Sequence, residues 1–198
     1  MTDAPSPSEI EAVVIGASAG AVEALLQILP KLPADYPIPV FIVVHLPPTP
    51  SVSLASLFEN NCKIKVKEAE DKEPISGGTV YFAPANYHLL VEPDQRLSLS
   101  SEDPVLYSRP SIDVLFESAA DAYGSSLAGI VLTGANSDGA KGLKAIAAAG
   151  GITLVQTPAT AEAATMPREA LDASPMARTL SLTEIAAFLT TELLLGAP

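Results

Sequence analysis

The chain has 198 residues, which fits one compact domain, since single cores stop growing near roughly 250 residues. Hydrophobic residues make up 48% of it, enough apolar surface for a large core and too much for global disorder. Against 11 basic residues stand 23 acidic ones, and the formal charge of -12 repels phosphate backbones and anionic lipid heads, which argues against nucleic acid as a partner. Cys62 is the one cysteine, so no intramolecular disulfide can form, and with two histidines the donor set for a metal is poor. No apolar run approaches the roughly 18 residues of a membrane span, and the opening Met1-Thr-Asp-Ala-Pro-Ser-Pro-Ser lacks the cationic and apolar parts of a secretion signal. A cytoplasmic location without membrane insertion is the default expectation.

Residues 1–10, polar and carrying Pro5 and Pro7, read as a disordered lead, followed by a single domain over 11–198. Val13-Val14-Ile15 and Val40-Phe41-Ile42-Val43-Val44 are continuous apolar runs rich in β-branched residues, which suits strands buried on both faces of a parallel sheet. Ile130-Val131-Leu132 and Ile152-Thr153-Leu154-Val155 have the same character. Helical spacing lies between them at Val22, Leu25, Leu26 and Leu29, at Ile112, Leu115, Phe116, Ala119 and Tyr123, and at Leu143, Ile146 and Ala147. A last helix starts at the capping-box pattern Ser181-Leu-Thr-Glu184.

One stretch breaks the alternation. Lys63-Ile-Lys-Val-Lys67 alternates with period two, Ser76-Gly77-Gly78 offers a turn, and Thr79–Phe82 and Arg96–Ser100 extend the pattern. The expected fold is therefore α/β: a doubly wound, mostly parallel sheet with helices on both faces and an antiparallel β segment near residues 63–100.

In open parallel sheets, ligands bind beyond the carboxyl ends of the strands. Ser18 lies just past the first apolar run, His45 ends the second, and Asp138 follows the strand that closes on "IVLTG". Three segments thus deliver a hydroxyl, an imidazole and a carboxylate to one edge, the inventory of nucleophile, general base and orienting acid. Each has a plainer explanation. Gly16-x-Ser18-x-Gly20 matches the nucleophile-elbow pattern, yet Ser18 is equally a small residue at a tight turn. His45 is equally a satisfied buried histidine, with Pro47 and Pro48 stiffening the loop behind it, and Asp138 a helix N-cap. The second histidine, His88, reads as structural, and Asp113 and Asp121, inside a predicted helix, compete weakly for the acid role.

A dinucleotide fingerprint requires G-x-G-x-x-G and an acid ending the second strand; here the middle glycine is Ser18, the last is Ala21, and the strand ends in His45. A nucleotide-binding protein is thereby the weaker reading. The order Ser18, His45, Asp138 also differs from the Ser, acid, His order of α/β-hydrolases.

With these residues assembled, the chain resembles the catalytic domain of the chemotaxis protein-glutamate methylesterases, the CheB family. The resemblance runs from "VVIGASAGAVEAL" to the final helix, with "VVHLPP", "GGTVYFAPANYHLLV", "SRPSIDVLFESAA", "IVLTGANSDGAKGL", "GGITLVQ" and "MPREAL" in the family's order. It implies a Ser18-His45-Asp138 triad that demethylates glutamyl methyl esters on the cytoplasmic helices of chemoreceptors, releasing methanol, with some glutamine deamidation and no cofactor. Backbone N–H groups near Ala135, and at His45 or Ala19, are the candidates for an oxyanion hole. Arg109 and Met166 fall in family blocks and are candidates to line the cleft.

Departures accompany the matches. The family commonly shows G-A-S-T-G-G and T-G-M-G where this chain has Ala19 and Ala21 and then Thr133-Gly134-Ala135-Asn136. A catalytically weak or inactive binding scaffold is therefore an alternative reading. About ten residues precede the first strand, where family members usually carry a receiver domain, so control by a separate receiver or regulator is the matching expectation.

Overall fold

The computed structural model describes residues 10–45 and 53–195. Residues 1–9 of the expected lead over 1–10 and the loop holding Pro47 and Pro48 lie outside that range, while Ile10, the last residue of that expected lead, is buried in the core.

Seven parallel strands form the sheet: β1 (Ala12–Ala17), β2 (Val40–Val44), β3 (Lys65–Glu68), β4 (Thr79–Phe82), β7 (Leu127–Val131), β8 (Ile152–Gln156) and β9 (Arg178–Leu180), in the order β3-β4-β2-β1-β7-β8-β9. From β1 the chain passes to its neighbour β2, goes on to β3 at the edge and comes back to place β4 between them, then crosses to the other side of β1 with β7. This reversal makes the switch point, and the crevice there opens at the carboxyl ends of β1, β2 and β7.

Both sheet faces are covered. On β1, Val13, Ile15 and Ala17 pack into one core cluster with Leu25 and Ile28 of α1 (Ala21–Ile28), Phe58 of α2 (Leu54–Glu59) and Ile185 of α6 (Leu182–Ala187). The alternate residues Ala12 and Val14 face a second cluster with Ile112, Leu115 and Phe116 of α3 (Ile112–Tyr123), Leu143 and Ile146 of α4 (Ala140–Ala148), and Met166 and Ala170 of α5 (Thr165–Ala173). Period-two side-chain alternation between two apolar layers is what an all-buried strand requires. The Ser181–Glu184 capping box is present at the start of α6.

The antiparallel expectation is corrected in part. Among the strands of the described residues, β5 (His88–Val91) and β6 (Leu97–Ser100) pair antiparallel, while β3 and β4 run parallel in the main sheet. β3 alternates because it is an edge strand; β4, between β2 and β3, is buried throughout. The Ser76-Gly77-Gly78 turn serves a close approach rather than a hairpin: a Cβ on Gly77 would lie 2.2 Å from the Pro37 carbonyl oxygen.

Candidate active site

Ser18 follows β1 directly and precedes Gly20, whose φ of 78° places it in the left-handed region at the N-cap of α1. Only a residue without Cβ takes that conformation freely, and here a Cβ would also meet the Glu162 side chain at 2.8 Å. The turn is tied down from the loop just after β7, since the Ser18 N–H donates to the Thr133 carbonyl at 2.9 Å and the Thr133 hydroxyl donates to the Ala19 carbonyl at 2.8 Å. Ser18 is half-buried and Ala19 exposed, so the serine sits at the crevice and not under it.

His45, just past β2, is held by its own N–H bonding to the Ala17 carbonyl at 3.2 Å. Its imidazole Nε2 lies 2.7 Å from Oδ2 of Asp138. Asp138 is fully buried and collects further donors: the Ser111 hydroxyl at 2.9 Å, Ile112 N–H at 2.7 Å and Asp113 N–H at 3.0 Å. Burial alone would raise its pKa, but the His45 bond and the amides of Asp113 and Ile112 outweigh it and hold the carboxyl below the ordinary carboxylate range. An ionised Asp138 makes Nε2 the protonated nitrogen and leaves Nδ1 with a lone pair.

The helix-capping expectation for Asp138 is thereby revised. The N-cap of α4 is Gly139, and Asp138 caps α3 instead. The exchange is reciprocal: Asp113, in the first turn of α3, accepts from Gly139 N–H at 2.9 Å and Gly142 N–H at 2.7 Å, the opening amides of α4. Neither helix has a side-chain cap of its own, and each receives a carboxylate from the other's start. Asp113 was visible in the sequence only as an acid inside a helix; its burial at 5% exposure and its role in fixing Gly139, next to Asp138, are tertiary facts.

The oxyanion candidates separate cleanly. The His45 N–H is committed to Ala17 and drops out. Ala135 is exposed on the loop after β7, and neither its N–H nor that of Ala19 finds an acceptor among the described residues, so both remain open to a ligand. Arg109 lines a cavity of about 240 Å³ together with His45, Asn86, Tyr107 and Ser108, and its guanidinium donates to the Ser101 and Glu102 carbonyls at 2.8 and 2.9 Å. Met166 does not line an open cleft: at 1% exposure it packs under Gly134, where a Cβ would come within 2.6 Å of its sulfur, and so supports the loop carrying Ala135. His88 is likewise internal, accepting from Ser111 N–H at 3.1 Å and donating to the Asp103 carbonyl at 3.2 Å.

Sequence reasoning placed Ser111, Thr133 and Asn136 in family blocks but gave none of them a role in the site. Asn136 donates from Nδ2 toward His45 Nδ1 at 3.3 Å while its Oδ1 accepts from Asp138 N–H at 3.1 Å. Nothing in local sequence distinguishes such residues from ordinary turn polar groups. Among the described residues, no group of three or more His, Cys, Asp or Glu is placed to hold a metal ion, and no helix is long and apolar enough to cross a membrane.

The sequence model of CheB methylesterase matches residues 13–189. A Leptospira interrogans protein is 52% identical over 176 residues, covering 89% of this chain and 91% of its own. Relatives from Archaeoglobus fulgidus (38% identical) and Carboxydothermus hydrogenoformans (42%) are named protein-glutamate methylesterase/protein-glutamine glutaminase, and 88% of this chain spans 51% and 53% of their lengths. Among solved structures, the Thermotoga maritima CheB methylesterase catalytic domain superposes with a TM-score of 0.86 at 32% identity, covering 91% of this chain and 97% of that one. The chain belongs to the CheB methylesterase family.

Proposed function

We propose that this protein is a cytoplasmic serine hydrolase that demethylates glutamyl methyl esters on the helices of chemoreceptors, and deamidates glutamines at such sites. The observation that carries the reading is the His45–Asp138 bond of 2.7 Å at the switch-point crevice, with Ser18 on the adjoining turn. In the reaction, the Ser18 hydroxyl oxygen attacks the ester carbonyl carbon while His45 Nδ1 takes the serine proton. The tetrahedral oxyanion receives the open N–H groups of Ala19 and Ala135 and the N-terminal end of α1. Collapse expels methanol, which takes the proton back from Nδ1, and water then repeats the sequence on the acyl-enzyme to release glutamate. For glutamine the leaving group is ammonia.

Asp138 stays ionised, orients the ring through Nε2–H and stabilises the imidazolium as it forms; its three further donors support an ionised carboxylate there. The net charge of -12 gives no long-range attraction to acidic receptor helices, so recognition rests on contact, with esterification neutralising the target carboxylate.

The test is methanol release from methylated chemoreceptor membranes by the wild type and by Ser18→Ala. Release from the wild type, reduced by several orders of magnitude in the variant with receptor binding retained, is the expected result. A folded wild type that binds receptor and releases nothing would favour a catalytically silent scaffold.

A further inference from the structure

One contact on His45 is not used by that reaction. Nε2 is bonded to Asp138 at 2.7 Å, so Nδ1 is the nitrogen left to receive the Ser18 proton, and Nδ1 faces the Asn136 amide nitrogen at 3.3 Å. The amide is not free to flip. Its Oδ1 accepts from Asp138 N–H at 3.1 Å, which turns Nδ2 toward the imidazole as a donor. A neutral imidazole nitrogen offers a single in-plane lone pair, so Asn136 and the Ser18 hydroxyl compete for the same acceptor. In agreement with that, no hydrogen bond between the Ser18 hydroxyl and His45 is found among the described residues.

We propose that Asn136 is a positioning residue that holds His45 as the neutral Nε2–H tautomer while occupying its basic lone pair, so that Ser18 is activated only when the amide leaves Nδ1. The inference rests on the assignment of Ser18 as nucleophile and His45 as base. At 3.3 Å the contact is longer than the usual 2.7–3.2 Å range, a bond weak enough for an entering substrate to displace. Asn136 is half-buried beside the exposed Ala135 on the loop after β7. Restraint of the base and support of the loop are thus combined in one side chain: Nδ2 does the first and Oδ1 the second.

Asn136→Ser separates the two. A serine hydroxyl still accepts from the N–H two residues on, keeping the turn before Asp138, but is too short to reach His45. The probe is a small alkyl fluorophosphonate, which needs no receptor: Ser18 Oγ forms a bond to phosphorus, fluoride leaves, and the serine proton goes to Nδ1. Its second-order labelling rate in Asn136→Ser is expected to exceed wild type by about two- to tenfold, the range for losing one competing neutral hydrogen bond. An equal or slower rate in the folded variant overturns the proposal. Wild type left unlabelled at Ser18 overturns the nucleophile assignment itself and the proposal with it.

A second measurement does not depend on the variant folding. In ¹⁵N-histidine-labelled wild type, the neutral form of both imidazoles is expected as the Nε2–H tautomer, since His88 also accepts at Nδ1 and donates from Nε2. A neutral Nδ1–H signal for His45 would contradict the restraint.

Discussion

Replacing Asp113 by asparagine should change stability in a way that depends on pH. Asp113 is 5% exposed, and burial first, then the field of Asp138, raise its pKa from 3.8 to about 6 despite the amides of Gly142 and Gly139 that pull it down. In the unfolded chain the same carboxyl ionises near its ordinary value, about 3.9. Between those two values the native state holds a proton that the unfolded state has released. Stability from this group is therefore fully present below pH ~4 and is lost as pH rises toward about 6. At about 1.4 kcal/mol per pH unit, the ionised side chain costs the native state about 3 kcal/mol at pH 7.

Asparagine keeps an oxygen for Gly139 and Gly142 and carries no charge, so it escapes that cost. The difference in unfolding free energy, Asp113→Asn minus wild type, is expected to grow by about 2 kcal/mol from pH 4 to pH 7, most of the change falling below pH 6. Urea unfolding of both proteins across that range measures it, and other titrating groups largely cancel in the difference. A difference that stays flat, or that shrinks as pH rises, would refute the claim that Asp113 is buried and resists ionisation.

Asp138→Asn should lower turnover on the order of 10³- to 10⁴-fold, because the carboxamide no longer stabilises the imidazolium or enforces Nε2–H; steady-state kcat reads this. Gly134→Ala should destabilise by about 1–3 kcal/mol, since the new Cβ would come within 2.6 Å of Met166. Met166→Ala opens space at that position, so the double variant should cost less than the two single changes together, as a thermodynamic cycle from denaturant melts would show. The Cys62 thiol, pushed up from 9.0 to about 11 by burial, should be alkylated by iodoacetamide at pH 8 on the order of 100-fold more slowly than a cysteine in an unstructured peptide. Comparable rates would place the thiol in open solvent.

Much of the architecture was legible in the chain because it is written in local periodicity. Strands buried on both faces have to be continuous apolar runs, and amphipathic helices have to repeat near 3.6 residues, so β1, β2, α1, α3 and α4 could be read directly. The carboxyl-end rule then located Ser18, His45 and Asp138 without any distance being known. The same local signals misplaced β3 and β4, for alternation reports one exposed face and not the direction of the neighbouring strand.

What local sequence determined by itself was which residue types lie at the ends of which strands. What only the tertiary structure decided was how they are held. Asp138 reads as a cap for the helix that follows it but caps α3, Asp113 reads as an acid inside a helix but caps α4, and Asn136 reads only as a departure from the family pattern but faces His45. Each of these bonds joins residues that sequence separates widely or that the loop geometry alone brings into line. The physical reason is that hydrogen-bond partners are chosen by proximity and desolvation in the folded chain, and neither is encoded in residue spacing.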